Sequence, residues 1–159
     1  MSCAKDFSKI DKKIGDLRPH NIFINEEGQL KIANLFSWPY EKTNFDKTAY
    51  EKQRTYISPE EIALIEKGNL ENTTNKVVSE SFSIGLTLLQ SGLLFSADEL
   101  YSQEGRAINI VKLNQRINEW LNLQFPNSEN TAIIGYSPLL KNIVAALCQA
   151  DPQHRLTSI

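Results

Sequence analysis

Residues 14–40 read IGDLRPHNIFINEEGQLKIANLFSWPY, and the order of residue types along them decides the fold. Asp16, Arg18 and Asn21 cluster around Pro19 in a segment too polar and too turn-prone for regular structure. "NIFIN" and "QLKIA" then flank Glu26-Glu27-Gly28, two short apolar runs rich in β-branched residues joined by a tight connection. That pattern predicts a β-hairpin. An acid, a cation and an amide at this spacing suit phosphate chemistry, and a second acid would be expected just beyond the hairpin. Asn34 stands there instead.

Bulk properties limit what such a loop can mean. At 159 residues the chain fits one domain, large enough to bury a core without a disulfide or metal staple. With 41% hydrophobic and 23% charged residues it has the composition of a folded protein rather than a disordered one. A net charge of -2 offers no basic footprint, so neither a nucleic acid nor an anionic membrane is expected as a partner. Cys3 and Cys148 lie far apart and read as reduced thiols. His20 and His154 are the only histidines, and no metal site or cofactor is expected. The N-terminus has no apolar targeting core. "FSIGLTLLQSGLLF", residues 82–95, is too short and too interrupted for a membrane span and reads as a buried helix.

The rest of the chain is mainly helical in pattern. Ser58, Pro59 and Glu61 form a helix start with a capping box, predicting a helix over 59–67 that Gly68 ends. Residues 79–94 are apolar nearly all round, as for a helix at the centre of a domain. Ile108, Val111, Ile117, Trp120 and Leu121 recur at helical intervals, predicting an amphipathic helix over 106–122. Ser137-Pro138 starts a fourth helix running to about 149, which Asp151-Pro152 stops. Residues 36–57 show no sustained period and read as a loop.

A D-L-[KR]-P-x-N loop, one hairpin, a long irregular segment ending in S-P-E, a buried helix and a late D-P-x-x-R, in that order, resemble the C-terminal lobe of the protein kinase fold. The resemblance covers residues 14–159, with 1–13 as a short N-terminal extension. It implies a mainly α domain with one small β-hairpin, a kinase-like C-lobe without the N-lobe. In that family the loop reads H-R-D-L-K-P-x-N. The resemblance therefore places Asp16 where the base that accepts the substrate hydroxyl proton sits, Arg18 where a Lys steadies the phosphoryl group, and Asn21 at a magnesium ligand. Glu60 of Tyr56-Ile57-Ser58-Pro59-Glu60 and Arg155 of "DPQHR" match a structural ion pair. Glu80 matches an anchoring carboxylate on the buried helix.

The departures fall on chemical positions. Ile14 and Gly15 replace the His and Arg of the loop motif, and Gln53 replaces a Thr that normally touches the catalytic Asp. Asn34-Leu35-Phe36 aligns with D-F-G, whose Asp binds magnesium as an anion. Asn34 offers that hard dication only a neutral carbonyl oxygen, and Phe36 stiffens a turn that normally has Gly. Asp16, Arg18 and Asn21 are thus expected to be vestigial and Asn34 a degenerate metal position, with no catalytic residue. Taken alone, Asp16 and Asn21 also read as turn formers, and Glu60 with Arg155 as an ordinary surface pair.

No G-x-G-x-x-G or V-A-I-K pattern occurs, and the seven glycines are scattered. The thirteen residues before Ile14 are too few for a small lobe or for the helix that leads into the catalytic loop of the family. Several of Phe82, Leu86, Leu89, Leu140, Ile143 and Leu147 are therefore expected to lack an intramolecular cover, which a near-obligatory protein partner would supply. Three functions stay open. The first is a non-catalytic kinase-like remnant, a pseudokinase serving as structural or docking subunit of a larger assembly. The second is half of a split kinase completed by an N-lobe on another chain. The third is a regulatory pseudokinase phosphorylated in a loop containing Tyr40, Thr43, Thr48, Tyr50 and Thr55. A cytoplasmic location is expected, and a cytoskeletal or ciliary complex is one home compatible with the Asn-, Lys-, Ile- and Glu-rich composition.

Overall fold

The computed structural model describes residues 17–33, 56–67, 75–102, 107–124 and 135–157. Asp16, Asn34, Gln53, Gly68, Cys3 and the loop tyrosines and threonines lie outside these residues. The described part is mostly helical with one two-stranded antiparallel sheet. Strand β1, Ile22–Ile24, pairs with β2, Leu30–Ile32, in the register Ile22 to Ile32 and Ile24 to Leu30. The turn between them closes through Gly28 N–H to Asn25 O at 2.9 Å, with Gly28 at φ 74°. Glycine adopts that left-handed conformation at no steric cost.

Among the described residues four α-helices follow, each started by a side-chain cap. Helix α1, Pro59–Glu66, has Ser58 Oγ accepting from Glu61 N–H at 3.4 Å. The Glu61 carboxylate accepts a hydrogen bond from the Ser79 hydroxyl on the next helix, so a residue of the expected capping box also serves tertiary packing. Helix α2, Lys76–Leu93, begins earlier than the apolar pattern suggests because Asn75 caps it. It ends where Leu94 turns left-handed at φ 54°. Helix α3, Ile110–Asn122, begins later than expected. Asn109 is its cap, and Ile108 is instead bridged to Tyr101 in a short antiparallel strap. Helix α4 spans Pro138–Leu147 under a Ser137 cap. Caps of this kind contribute about 1 kcal/mol each.

Helix α2 packs against both α3 and α4, which also touch each other. Phe82, Leu86 and Leu89, one stripe of α2, meet Leu113 and Trp120 of α3 and Val144 and Cys148 at the end of α4 in one core. On α3 the buried stripe is Leu113, Ile117 and Trp120, whereas Val111 and Leu121 are exposed. This corrects the expected inner face, because a helix counted from Asn109 brings 113, 117 and 120 to one side. Two glycines let the helices close up. A Cβ on Gly85 would lie 2.7 Å from Leu147 Cβ, and one on Gly92 would lie 2.2 Å from Trp120 Cζ3.

The expectation of an uncovered central helix is overturned for most of the residues it named. Phe82, Leu86 and Leu89 have no exposed surface and Leu147 is buried. Helices α3 and α4 wrap around α2, and the Arg155 guanidinium lies 4.9 Å over the Phe82 ring. Leu140 is exposed and Ile143 half-buried. Burial pushes the Cys148 thiol up to about 12 against a smaller opposing effect of Arg155. At pH 8 thiolate at Cys148 is then on the order of one part in ten thousand. Iodoacetamide should label it only after denaturation, and rapid labelling of the folded protein would contradict this burial. No helix among the described residues is long and apolar enough to cross a membrane.

Candidate functional site

The residues of the opening loop that the structure describes are held from below by α2. The Leu17 carbonyl accepts a hydrogen bond from Thr87 Oγ1 at 2.6 Å, a hydroxyl that also lies 2.9 Å from the Ser83 carbonyl. Leu17 itself is buried. Pro19–Asn21 then form a single 3-10 turn, closed by Asn21 N–H to Arg18 O at 2.9 Å. Asn21 is buried, and its carbonyl accepts from Ala33 N–H at 2.8 Å. The turn is thereby tied both to α2 and to the end of the hairpin, so the backbone on either side of Arg18 has a defined path. His20 is exposed.

The second cluster is Glu60 with Arg155, and here the geometry is tight. Arg155 Nη1 and Nη2 meet the two oxygens of Glu60 at 2.6 and 2.9 Å, a bidentate pair. Its remaining donors reach main-chain carbonyls, Nε to Gln149 at 2.8 Å, Nη1 to Val78 at 3.0 Å and Nη2 to Ala150 at 3.1 Å. A guanidinium has five N–H donors, and all of them are used. The Arg155 side chain has no exposed surface and that of Glu60 has 16%. This is a buried, fully satisfied ion pair joining the start of α1, the start of α2 and the segment after α4.

These two clusters share α2 as their floor, and the order in which the chain visits them suggests a comparison with known domains. The sequence model of the protein kinase domain matches residues 14–159. The chain belongs to the protein kinase domain family. No curated protein matches it. In a kinase domain the two clusters are not equivalent. From the sequence, Glu60 and Arg155 are expected at positions that hold the fold together, and Asp16, Arg18, Asn21 and Asn34 at positions that handle phosphate and metal. The structure brings the first pair into contact. Of the second group it describes Arg18 and Asn21, on one turn, and leaves Asp16 and Asn34 outside the described residues.

Of the two positions expected from the resemblance to meet magnesium, Asn21 keeps the amide that a kinase catalytic loop uses. Asn34 has a neutral amide where a carboxylate is expected, a poorer donor for a hard dication bridging phosphates. Two tethers escaped the sequence reading, Thr87 to Leu17 and the tyrosine pair Tyr56 and Tyr101. Thr87 sits in an apolar run as any small polar residue of a buried helix does. Nothing in its local pattern marks a partner seventy residues away.

Proposed function

We propose that this chain is a non-catalytic kinase-like domain, a pseudokinase of large-lobe character over residues 14–159, acting as a structural or docking subunit of a larger cytoplasmic protein assembly. The observation that carries the proposal is an asparagine, Asn34, where the resemblance expects the metal-binding Asp. Removing a full negative charge from the metal that neutralises a transferring phosphoryl group costs orders of magnitude in rate. Residues that organise the fold support the same reading from the other side. Arg155 keeps all five donors engaged, and Thr87 keeps the loop on α2. Leu88, Leu139 and Leu140 remain exposed on α2 and α4, a smaller apolar surface that a protein partner would cover.

The test is nucleotide binding. Titration of the purified protein with ATP and magnesium should give no magnesium-dependent binding at micromolar nucleotide, and incubation with generic protein substrates should give no phosphotransfer. Phosphotransfer that disappears in Asp16→Ala would overturn the proposal. It would favour instead a split kinase completed by another chain carrying a Gly-rich loop and a strand Lys, the reading that the retained Asp16 and Asn21 support.

A further inference from the structure

Tyr56 has a backbone φ of 78°. A bulky side chain occupies that left-handed region only where its surroundings impose it. Here they do so through three hydrogen bonds from separate places. The Tyr56 N–H donates to the Tyr101 hydroxyl at 2.9 Å. Its carbonyl accepts from the Ser83 hydroxyl at 2.7 Å. Its own hydroxyl donates to Gln90 Oε1, which also accepts from Ala97 N–H at 3.3 Å.

The Tyr101 hydroxyl has a second role, since it donates to the Ile57 carbonyl at 3.0 Å. One phenol therefore holds two successive residues of the turn that leads into α1. Burial raises the Tyr101 phenol well above the ordinary tyrosine range, so the bridging proton stays in place. Tyr101 stands at the base of the strap before α3, where Ser102 N–H donates to Ala107 O at 2.9 Å and Asn109 N–H to Leu100 O at 2.7 Å. A cleft of about 440 Å³ opens on this strap, lined in part by Glu99, Tyr101, Ile108 and Lys112.

We propose that Tyr101 is a clasp. With its hydroxyl between Tyr56 N–H and Ile57 C=O it keeps the turn in its left-handed form. When that hydroxyl lets go, the turn relaxes to extended backbone and draws the Tyr56 hydroxyl off Gln90. One side chain thereby couples the strap before α3 to the segment that enters α1.

Hydrogen exchange followed by NMR tests this in two ways. In the native protein, the Tyr101 hydroxyl proton and the Tyr56 amide should open with the same free energy and the same denaturant dependence, and different values for the two would overturn the clasp. In Tyr101→Phe, which keeps the ring and removes only the hydroxyl, exchange at the Tyr56 amide should accelerate roughly tenfold or more while α2 and α4 keep their protection. In Gln90→Ala, which frees the Tyr56 hydroxyl and the Ala97 N–H but leaves the Tyr101 hydroxyl in place, the Tyr56 amide should stay protected. No acceleration in Tyr101→Phe, or a uniform loss of protection across all helices, would refute the proposal.

Discussion

Replacing Arg155 with alanine should destabilise the folded protein by about 3–5 kcal/mol, the range for removing one partner of a buried ion pair. The cost comes from what is left behind. Glu60 would keep a charge that is mostly withdrawn from water, and the carbonyls of Gln149, Val78 and Ala150 would each lose a charged donor. The Phe82 ring would also lose the guanidinium that covers it. Arg155→Lys should recover only part of this loss, because an ammonium cannot present the planar fork that meets both Glu60 oxygens. Urea denaturation of the wild type and the two variants measures these differences. A loss below about 1 kcal/mol for Arg155→Ala would show the pair behaving as a surface pair does.

That the pair was legible at all is instructive, because Glu60 and Arg155 are ninety-five residues apart. Local physics says only that Glu60 lies in the first turn of a capped helix and Arg155 after a helix stop. The family resemblance brings the two together, and the structure gives the distance. Capping and periodicity did better on their own ground. Ser58-Pro59 and Ser137-Pro138 located α1 and α4, since the cap bonds are between neighbours in sequence. The start of α3 was misread because Ile108 fits the helical period. Pairing with Tyr101, a contact that local pattern does not encode, takes Ile108 out of the helix.

The cover over α2 was misjudged for a related reason. Counting which helices of a family fold are present says nothing of how closely those helices pack. Gly85 admits Leu147 and Cys148, and Gly92 admits the Trp120 ring, so α3 and α4 enclose apolar side chains that a more open arrangement would leave in water. The two glycines read, in the sequence, as interruptions of an apolar helix. In the fold they are the contact points. Of the candidate site, the turn through Asn21 and the Glu60–Arg155 pair are in place. Asn34, the expected degenerate metal position, lies outside the described residues.

The contact at Gly92 leads to the second large effect. The Trp120 ring is held on three sides. Its Nε1–H donates to the Lys141 carbonyl at 3.1 Å, the Tyr136 ring lies 4.6 Å away between centroids, and Gly92 faces it directly. A methyl group at residue 92 would fall 2.2 Å from Cζ3 and 3.0 Å from Cη2, so the ring or the helix must shift. Overpacking of this kind costs about 1–3 kcal/mol, and here it should reach the upper end, since a retreating indole gives up its hydrogen bond. Against it stands at most about 1 kcal/mol from the better helix propensity of alanine over glycine. Gly92→Ala should therefore be destabilising overall, by roughly 2 kcal/mol. Trp120→Ala should cost about 3–5 kcal/mol through the cavity it leaves. The two are not independent. Once the ring is gone the methyl group enters empty space, and Gly92→Ala in the Trp120→Ala background should be neutral or mildly stabilising. A double-mutant cycle by urea denaturation should then return a coupling of about 2–3 kcal/mol. Additive costs would mean that the ring and the glycine do not meet, and that α3 stands farther from α2 than the structure places it.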